Sequence, residues 1–173
     1  HNRRNATLVL KALERLGIGT NLDNRQAIES FPGSQRRFER LAVNLYSDYG
    51  HHPAEIAATL QLARELSDHV VLVYQPHQNV RQHEIKGQYT DEIFENAEKV
   101  YWLPTYLSRE DPALPVLSPE ELTQDIKHKA QLHYAELNDE LWQHILEARQ
   151  TGKLVLCMGA GSIDGWVREN LTN

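Results

Sequence analysis

Hydrophobic positions along this chain follow two patterns. From residue 5 to residue 16, Leu8, Ala12, Leu13 and Leu16 recur at helical spacing, and Gly17 and Gly19 end the stretch. Residues 53–67 repeat the pattern, with Ile56, Leu60, Leu62, Ala63 and Leu66 forming a stripe behind Pro53, a residue suited to a first helical turn. The second pattern is the short unbroken apolar run. Residues 69–74 (HVVLVY) and 154–158 (LVLCM) are of strand length and suit strands buried on both faces of a parallel sheet. Residues 40–46 and 100–103 read as further strands, and residues 89–97 as a helix. Ser118-Pro119-Glu120-Glu121 opens a helix that continues with interruptions to about residue 150, and residues 165–171 close the chain as a helix or turn. Residues 21–30 predict a short helix or turn, and Phe31-Pro32-Gly33 a turn. From residue 40 the order is strand, helix, strand, helix, strand, helices, strand. That order predicts an α/β fold: a mostly parallel sheet flanked by helices on both faces, with right-handed crossovers. The first helix begins abruptly, which raises the expectation that something lies upstream in a parent protein.

Composition narrows the function classes. The chain has 173 residues, with 18 Lys and Arg against 24 Asp and Glu, a formal net charge of −6. That balance disfavours a general nucleic-acid binder. A hydrophobic content of 40% is enough for a packed core and argues against disorder. Cys157 is the single cysteine, so neither an internal disulfide nor a thiolate metal cluster is expected. No apolar run approaches the roughly 20 residues needed to span a bilayer, and residues 1–4 are polar and basic, unlike a signal peptide.

Each predicted strand is followed at once by an unusual polar cluster. These are Asp48-Tyr49-Gly50-His51-His52-Pro53, Gln75-Pro76-His77-Gln78-Asn79-Val80-Arg81, Pro104-Thr105-Tyr106 and Gly159-Ala160-Gly161-Ser162. Ligands of open α/β sheets sit outside the carboxyl ends of the strands, so the four clusters should share one rim. Asp48 reads equally as a turn residue or as a ligand-facing carboxylate. As a rim residue it would support little packing, so Asp48→Asn would leave folding nearly unchanged. His51-His52 favours capping over a metal pair, because no partner ligands stand nearby. His77 and Arg81 could grip a phosphate or carboxylate, or belong to a solvated loop. Arg36-Arg37 offers the same choice. A Gly-x-Gly turn alone is weak evidence for a dinucleotide, and neither a Walker-type phosphate loop nor a Gly-x-Ser-x-Gly elbow is present.

Asp48-Tyr49-Gly50-His51-His52-Pro53-Ala54-Glu55 resembles the Asp-Tyr-Gly-His-His-Pro-Thr-Glu signature of the UDP-N-acetylmuramate–L-alanine ligases, within the Mur ligase family. Other segments agree in order: His1-Asn2-Arg3-Arg4-Asn5-Ala6, Phe31 to Phe38 with Gly33, Arg36 and Arg37, the Gln75-Pro76-His77-x-x-x-Arg81 loop, and Gly159-Ala160-Gly161-Ser162-Ile163. Departures are Gln78 in place of Arg, Val80 and Gln82 in place of the threonines flanking Arg81, and Ser162 in place of Asp. Residues 101–111 are also unlike the usual enzymes.

The resemblance implies a Rossmann-like C-terminal domain over residues 31–173, with residues 1–30 a helix and linker left from a central ATPase domain. It implies a cytoplasmic ligase that uses ATP and Mg2+, both held mainly by the central domain, to join L-alanine to UDP-N-acetylmuramate through an acyl phosphate. The partners implied are the two substrates and the rest of the same polypeptide, without nucleic acid or membrane; the fragment alone would be inactive. Carried over by position, Asn2, Asn5, Arg37 and Asp48 would meet the nucleotide, with Arg36 an alternative to Arg37. Arg37, Asp48, His51 and Arg81 would serve catalysis, His77 and Arg81 would face the amino acid, and no residue would be a metal ligand. A murein-peptide recycling ligase domain and a non-catalytic module of the same fold stand as alternatives.

Overall fold

In the computed structural model of the chain, residues 2–18, 26–27, 30 and 33–172 are described, the side chains of residues 2–4 and 130 excepted. His1, Phe31-Pro32 and most of the segment expected as a helix or turn at residues 21–30 lie outside the described residues. The chain divides into two compact units, His1–Ser34 and Gln35–Asn173.

The first unit contains helix α1 (Asn2–Arg15). Gly17 ends it with a left-handed φ of 72°, and the Ile18 amide donates back to the Leu13 carbonyl at 3.0 Å, a glycine-closed helix end.

The second unit is a six-stranded sheet. Its strands are β1 (Glu39–Ala42), β2 (Leu45–Asp48), β3 (Val70–Tyr74), β4 (Lys99–Trp102), β5 (Leu132–Tyr134) and β6 (Leu154–Met158). The spatial order is β1-β2-β6-β3-β4-β5. Only β1 runs antiparallel to its neighbour β2; the other pairs are parallel. The helices are α2 (Pro53–Arg64), α3 (Asn79–Ile85), α4 (Asp91–Phe94), α5 (Pro119–Leu122), α6 (Asp139–Gln150) and α7 (Ile163–Thr172). The mostly parallel α/β sheet expected from the sequence is present.

Side chains alternate along the central strands, as the pleat requires. Val70, Leu72 and Tyr74 join Ile56, Leu60, Phe94 and Trp102 on one face. Val71 and Val73 join Leu141, Ile145, Cys157 and Val167 on the other. Helices α2, α4 and α5 therefore cover one face, and α6 and α7 the other.

Three elements differ from expectation. The strand predicted at residues 40–46 is a hairpin, β1 and β2, because Asn44 takes φ 57° and reverses the chain. The helix predicted at residues 89–97 shrinks to the single turn α4, while α3 forms at residues expected to be loop. Strand β5 lies where interrupted helix was expected. It is a three-residue edge strand with exposed His133 and Tyr134, so it carries no apolar run to announce it.

Candidate functional site

Backbone hydrogen bonds continue past the strands and stitch the four polar clusters together. The Gly159 amide donates to the Asp48 carbonyl (3.0 Å), Gln75 to Met158 (2.9 Å), Leu103 to Tyr74 (2.9 Å) and Ala135 to Trp102 (3.0 Å). After β2 and β3 the chain crosses to one face, and after β6 to the other, so the loops diverge at the centre of the rim. That is the switch-point crevice where ligands of such sheets bind.

Asp48 ends β2 and is only 7% exposed. Its Oδ1 accepts the Gly50 amide at 2.7 Å and its Oδ2 the Phe38 amide at 2.8 Å. Burial pushes its carboxyl above the ordinary value, although these two amides and Arg37 pull the other way. Asp48 therefore ties the segment before β1 to the loop after β2, which corrects the expectation of a rim carboxylate with little structural duty. Gly50 packs tightly beside it: a Cβ there would lie 2.4 Å from Met158 Cε and 2.9 Å from Asp48 Oδ1, so these side-chain ends would have to shift.

Glu55 closes the same loop. Its Oε2 accepts the His51 amide (3.0 Å) and the His52 amide (3.1 Å), while the His52 ring accepts the Ala54 amide and caps α2. Burial works against the Glu55 carboxylate, but the two amides and the charge of Arg37 help outweigh it and hold its pKa below the ordinary value. His52 is thus a helix cap.

The structure separates Arg36 from Arg37. Arg36 takes φ 54° and turns inward. Its Nη2 donates to the Gly159 carbonyl at 2.8 Å, and its Nε lies 3.7 Å from Asp164 Oδ2. Asp164 is itself held by Ser47 (2.6 Å) and Arg168 (3.0 Å). Arg36 is a brace between the segment before β1 and the Gly159 turn. Arg37 is exposed, with its guanidinium 5.6 Å from the centre of the Tyr49 ring, and among the described residues it makes no side-chain hydrogen bond.

From Tyr49 a rank of rings crosses the rim. Tyr49 stands edge-on to His51 (5.7 Å), His51 edge-on to His77 (5.6 Å), and His77 lies flat on Tyr106 (5.8 Å). The Arg81 guanidinium hydrogen-bonds His51 Nε2. A guanidinium can only donate, so Nε2 accepts and the ring proton falls on Nδ1, facing the Tyr49 carbonyl at 3.3 Å. His77 Nδ1 is buried without a partner. Burial first, then His51 and Arg81, lower the His77 pKa, which keeps that imidazole neutral near pH 7. Glycine at 161 leaves room for Tyr106, whose Cγ would lie 2.5 Å from a Cβ there.

Of the residues expected at a site, Arg37, Asp48, His51, His77 and Arg81 meet on this rim. Asn5 lies exposed on α1, in the other unit, and the Asn2 side chain is outside the described residues. Tyr49, Gln75 and Tyr106 stand with them, residues that the sequence marks only as members of the polar clusters. Glu110 was missed altogether: its two oxygens accept the Ser108 (2.6 Å) and Val80 (3.2 Å) amides and fix the entry to α3. Sequence spacing carries no signal for it.

Among the described residues no three His, Cys, Asp or Glu side chains converge on a metal position. Of the rim carboxylates, Asp48 accepts one backbone amide on each oxygen and Glu55 accepts two on Oε2, and no third acidic, His or Cys side chain joins them to complete a magnesium position among the described residues. Among the described residues no helix is long and apolar enough to cross a membrane.

Comparison with known proteins agrees with this geometry. The chain is 33% identical over 172 residues to the UDP-N-acetylmuramate–L-alanine ligase of Jannaschia sp. (strain CCS1), covering 96% of this chain and 36% of that protein. It is 35% identical over 176 residues to the enzyme of the same name from Brucella ovis, covering 96% of this chain and 37% of that protein. The chain thus spans little more than a third of these relatives. Among solved structures it superposes on the UDP-N-acetylmuramate–alanine ligase of Thermotoga maritima with a TM-score of 0.67 at 22% identity, covering 99% of this chain and 37% of the other. A murein peptide ligase from Psychrobacter arcticus gives 0.58 at 22% identity, over 97% of this chain and 35% of the other; both share the fold. Residues 36–161 match the family model described as the Mur ligase, glutamate ligase domain, so the rim from Arg36 to Gly161 is that domain's rim and the chain belongs to the Mur ligase family.

Proposed function

We propose that the chain is the C-terminal domain of an ATP-dependent ligase that joins L-alanine to UDP-N-acetylmuramate in peptidoglycan synthesis. In this reaction the substrate carboxylate attacks the γ-phosphate of ATP, releasing ADP and forming an acyl phosphate. The alanine amine then attacks the acyl carbon and expels phosphate. Reactions of this kind depend on positioning and charge clamping. Arg37, exposed beside Tyr49, supplies a positive charge for the phosphates. Arg81 and His51 face the alanine carboxylate, and the neutral His77 ring lines the amine side. Magnesium and the bulk of the nucleotide contacts belong to the central domain of the longer protein, which would work in the cytoplasm where ATP is available.

The observation that carries the reading is the contact of Tyr49, His51, His77 and Arg81, drawn from the two segments 48–55 and 75–81 that resemble the alanine ligases. The experiment is alanine-dependent phosphate release from ATP and UDP-N-acetylmuramate by the longer protein, set beside this 173-residue chain. Turnover by the longer protein alone is expected. Ligation by the isolated chain would overturn the domain reading. A preference for a peptide over alanine would make the protein a murein-peptide ligase.

A further inference from the structure

Behind the rank of rings lies a line of buried polar groups that the proposed chemistry does not use. Gln82, on α3 next to Arg81, is fully buried. Its Nε2 donates to the His77 carbonyl at 3.0 Å, and its Oε1 accepts the Tyr89 hydroxyl at 2.7 Å. Tyr89 Oη lies 2.9 Å from Tyr74 Oη, and Tyr74 donates to the His51 carbonyl at 2.8 Å. Both tyrosines are fully buried. One connected line therefore runs from the backbone of His77 to the backbone of His51, the two histidines whose rings meet on the rim. With Tyr89 donating to Gln82 and Tyr74 to the His51 carbonyl, both hydroxyl protons are placed at the ends, and the Tyr74–Tyr89 contact between them is held by the packing of the two buried rings, so the line depends on every member staying in place. Burial raises the pKa of both hydroxyls above that of free tyrosine, so both stay protonated near neutral pH.

We propose that Gln82 is a positioning residue of this site: through Tyr89 and Tyr74 it sets the spacing of His51 and His77, and hence the seat of Arg81 against His51. The inference rests on the reading that these groups form the ligase's acceptor side. Gln82 also carries Arg81 directly, as its neighbour on α3. A side chain too short to reach the Tyr89 hydroxyl, such as threonine, would leave the line open at this end.

The test follows the histidine imidazole signals of the 15N-labelled chain between about pH 5 and 8, the range in which histidine titrates. The samples are wild type, Gln82→Leu, Tyr74→Phe and, as a control, Ile145→Val in the core of the opposite sheet face. In wild type the His77 midpoint lies below 6.5 because burial, His51 and Arg81 disfavour its cation. In Gln82→Leu and Tyr74→Phe it climbs toward 6.5, and the His51 signals move with it; in Ile145→Val neither changes. Tyr74→Phe keeps the ring and removes only the hydroxyl, so it decides the matter where Gln82→Leu fails to fold. Titrations in folded Tyr74→Phe that coincide with wild type overturn the proposal, as does an equal shift in the control. The readout needs no turnover, so loss of the ligase reading would show itself separately, as absent ligation by the longer wild-type protein.

Discussion

At the scale of single residues, neighbours in sequence do different work. Arg36 and Arg37 are adjacent and chemically identical, yet one turns inward at φ 54° to the Gly159 carbonyl and the other stays in solvent. Arg36→Ala removes a half-buried charged donor from the carbonyl of buried Gly159, a loss of about 1.5–3 kcal/mol, and the chain should melt several degrees lower. Arg37→Ala should change stability by no more than about 0.5 kcal/mol, while, under the proposed function, raising the Michaelis constant for ATP in the longer protein. Thermal melts of the two variants side by side check the split; equal losses would remove the distinction. Asp48 gives a second case. Both its oxygens accept backbone amides, and in Asp48→Asn the new NH2 must face one of them, donor against donor. A buried amide left without its acceptor costs about 1–3 kcal/mol, so the variant should melt roughly 3–10 °C below wild type. Calorimetry decides this, and an unchanged melt would return Asp48 to the role of a free rim carboxylate.

At the scale of elements, the loop between β2 and α2 depends on Glu55, which gathers the His51 and His52 amides. Its pKa in the folded chain lies below that of a free glutamate, so its stabilisation is complete above the free value and is lost as pH falls through the lower folded one. Glu55→Gln should therefore cost about 1 kcal/mol at neutral pH and flatten the acid side of the stability curve. Urea melts between pH 3 and 7 test this, and parallel curves for the two proteins would count against it. Elements such as this one were legible because the sequence marks them twice: Pro53 and the apolar stripe announce α2, and unbroken apolar runs announce β3 and β6. The hairpin was not legible, since its reversal depends on Asn44 reaching φ 57° inside an otherwise strand-like run. Strand β5 was not legible because one face is exposed and only its neighbour β4 makes it a strand. The site divides the same way. Its rim clusters stood out as polar residues after apolar strands. The Gln82–Tyr89–Tyr74 line was hidden because its members read as ordinary core and helix positions, and only packing brings their polar ends together.

At the scale of the whole chain, the core is internal to one unit. Every buried hydrophobic side chain among the described residues lies between Leu45 and Val167, and both core clusters draw only on residues of Gln35–Asn173. Cys157 is the next-to-last residue of β6, 1% exposed, with its thiol pushed up to about 12 by burial and by Asp164. A thiol in that state reacts only when the sheet opens, so its labelling rate reports global unfolding of this unit. Removing residues 1–34 takes away no buried hydrophobic group among the described residues. The shortened chain should therefore keep a single cooperative transition, with the surface exposed on unfolding, and so the denaturant slope, set by the same two core clusters. Its urea midpoint should match that of the 173-residue chain, and Cys157 should label no faster. A shortened chain that lost cooperativity, or labelled at Cys157 on mixing, would show that the first unit holds the sheet together, contrary to a core drawn from residues 45–167 alone.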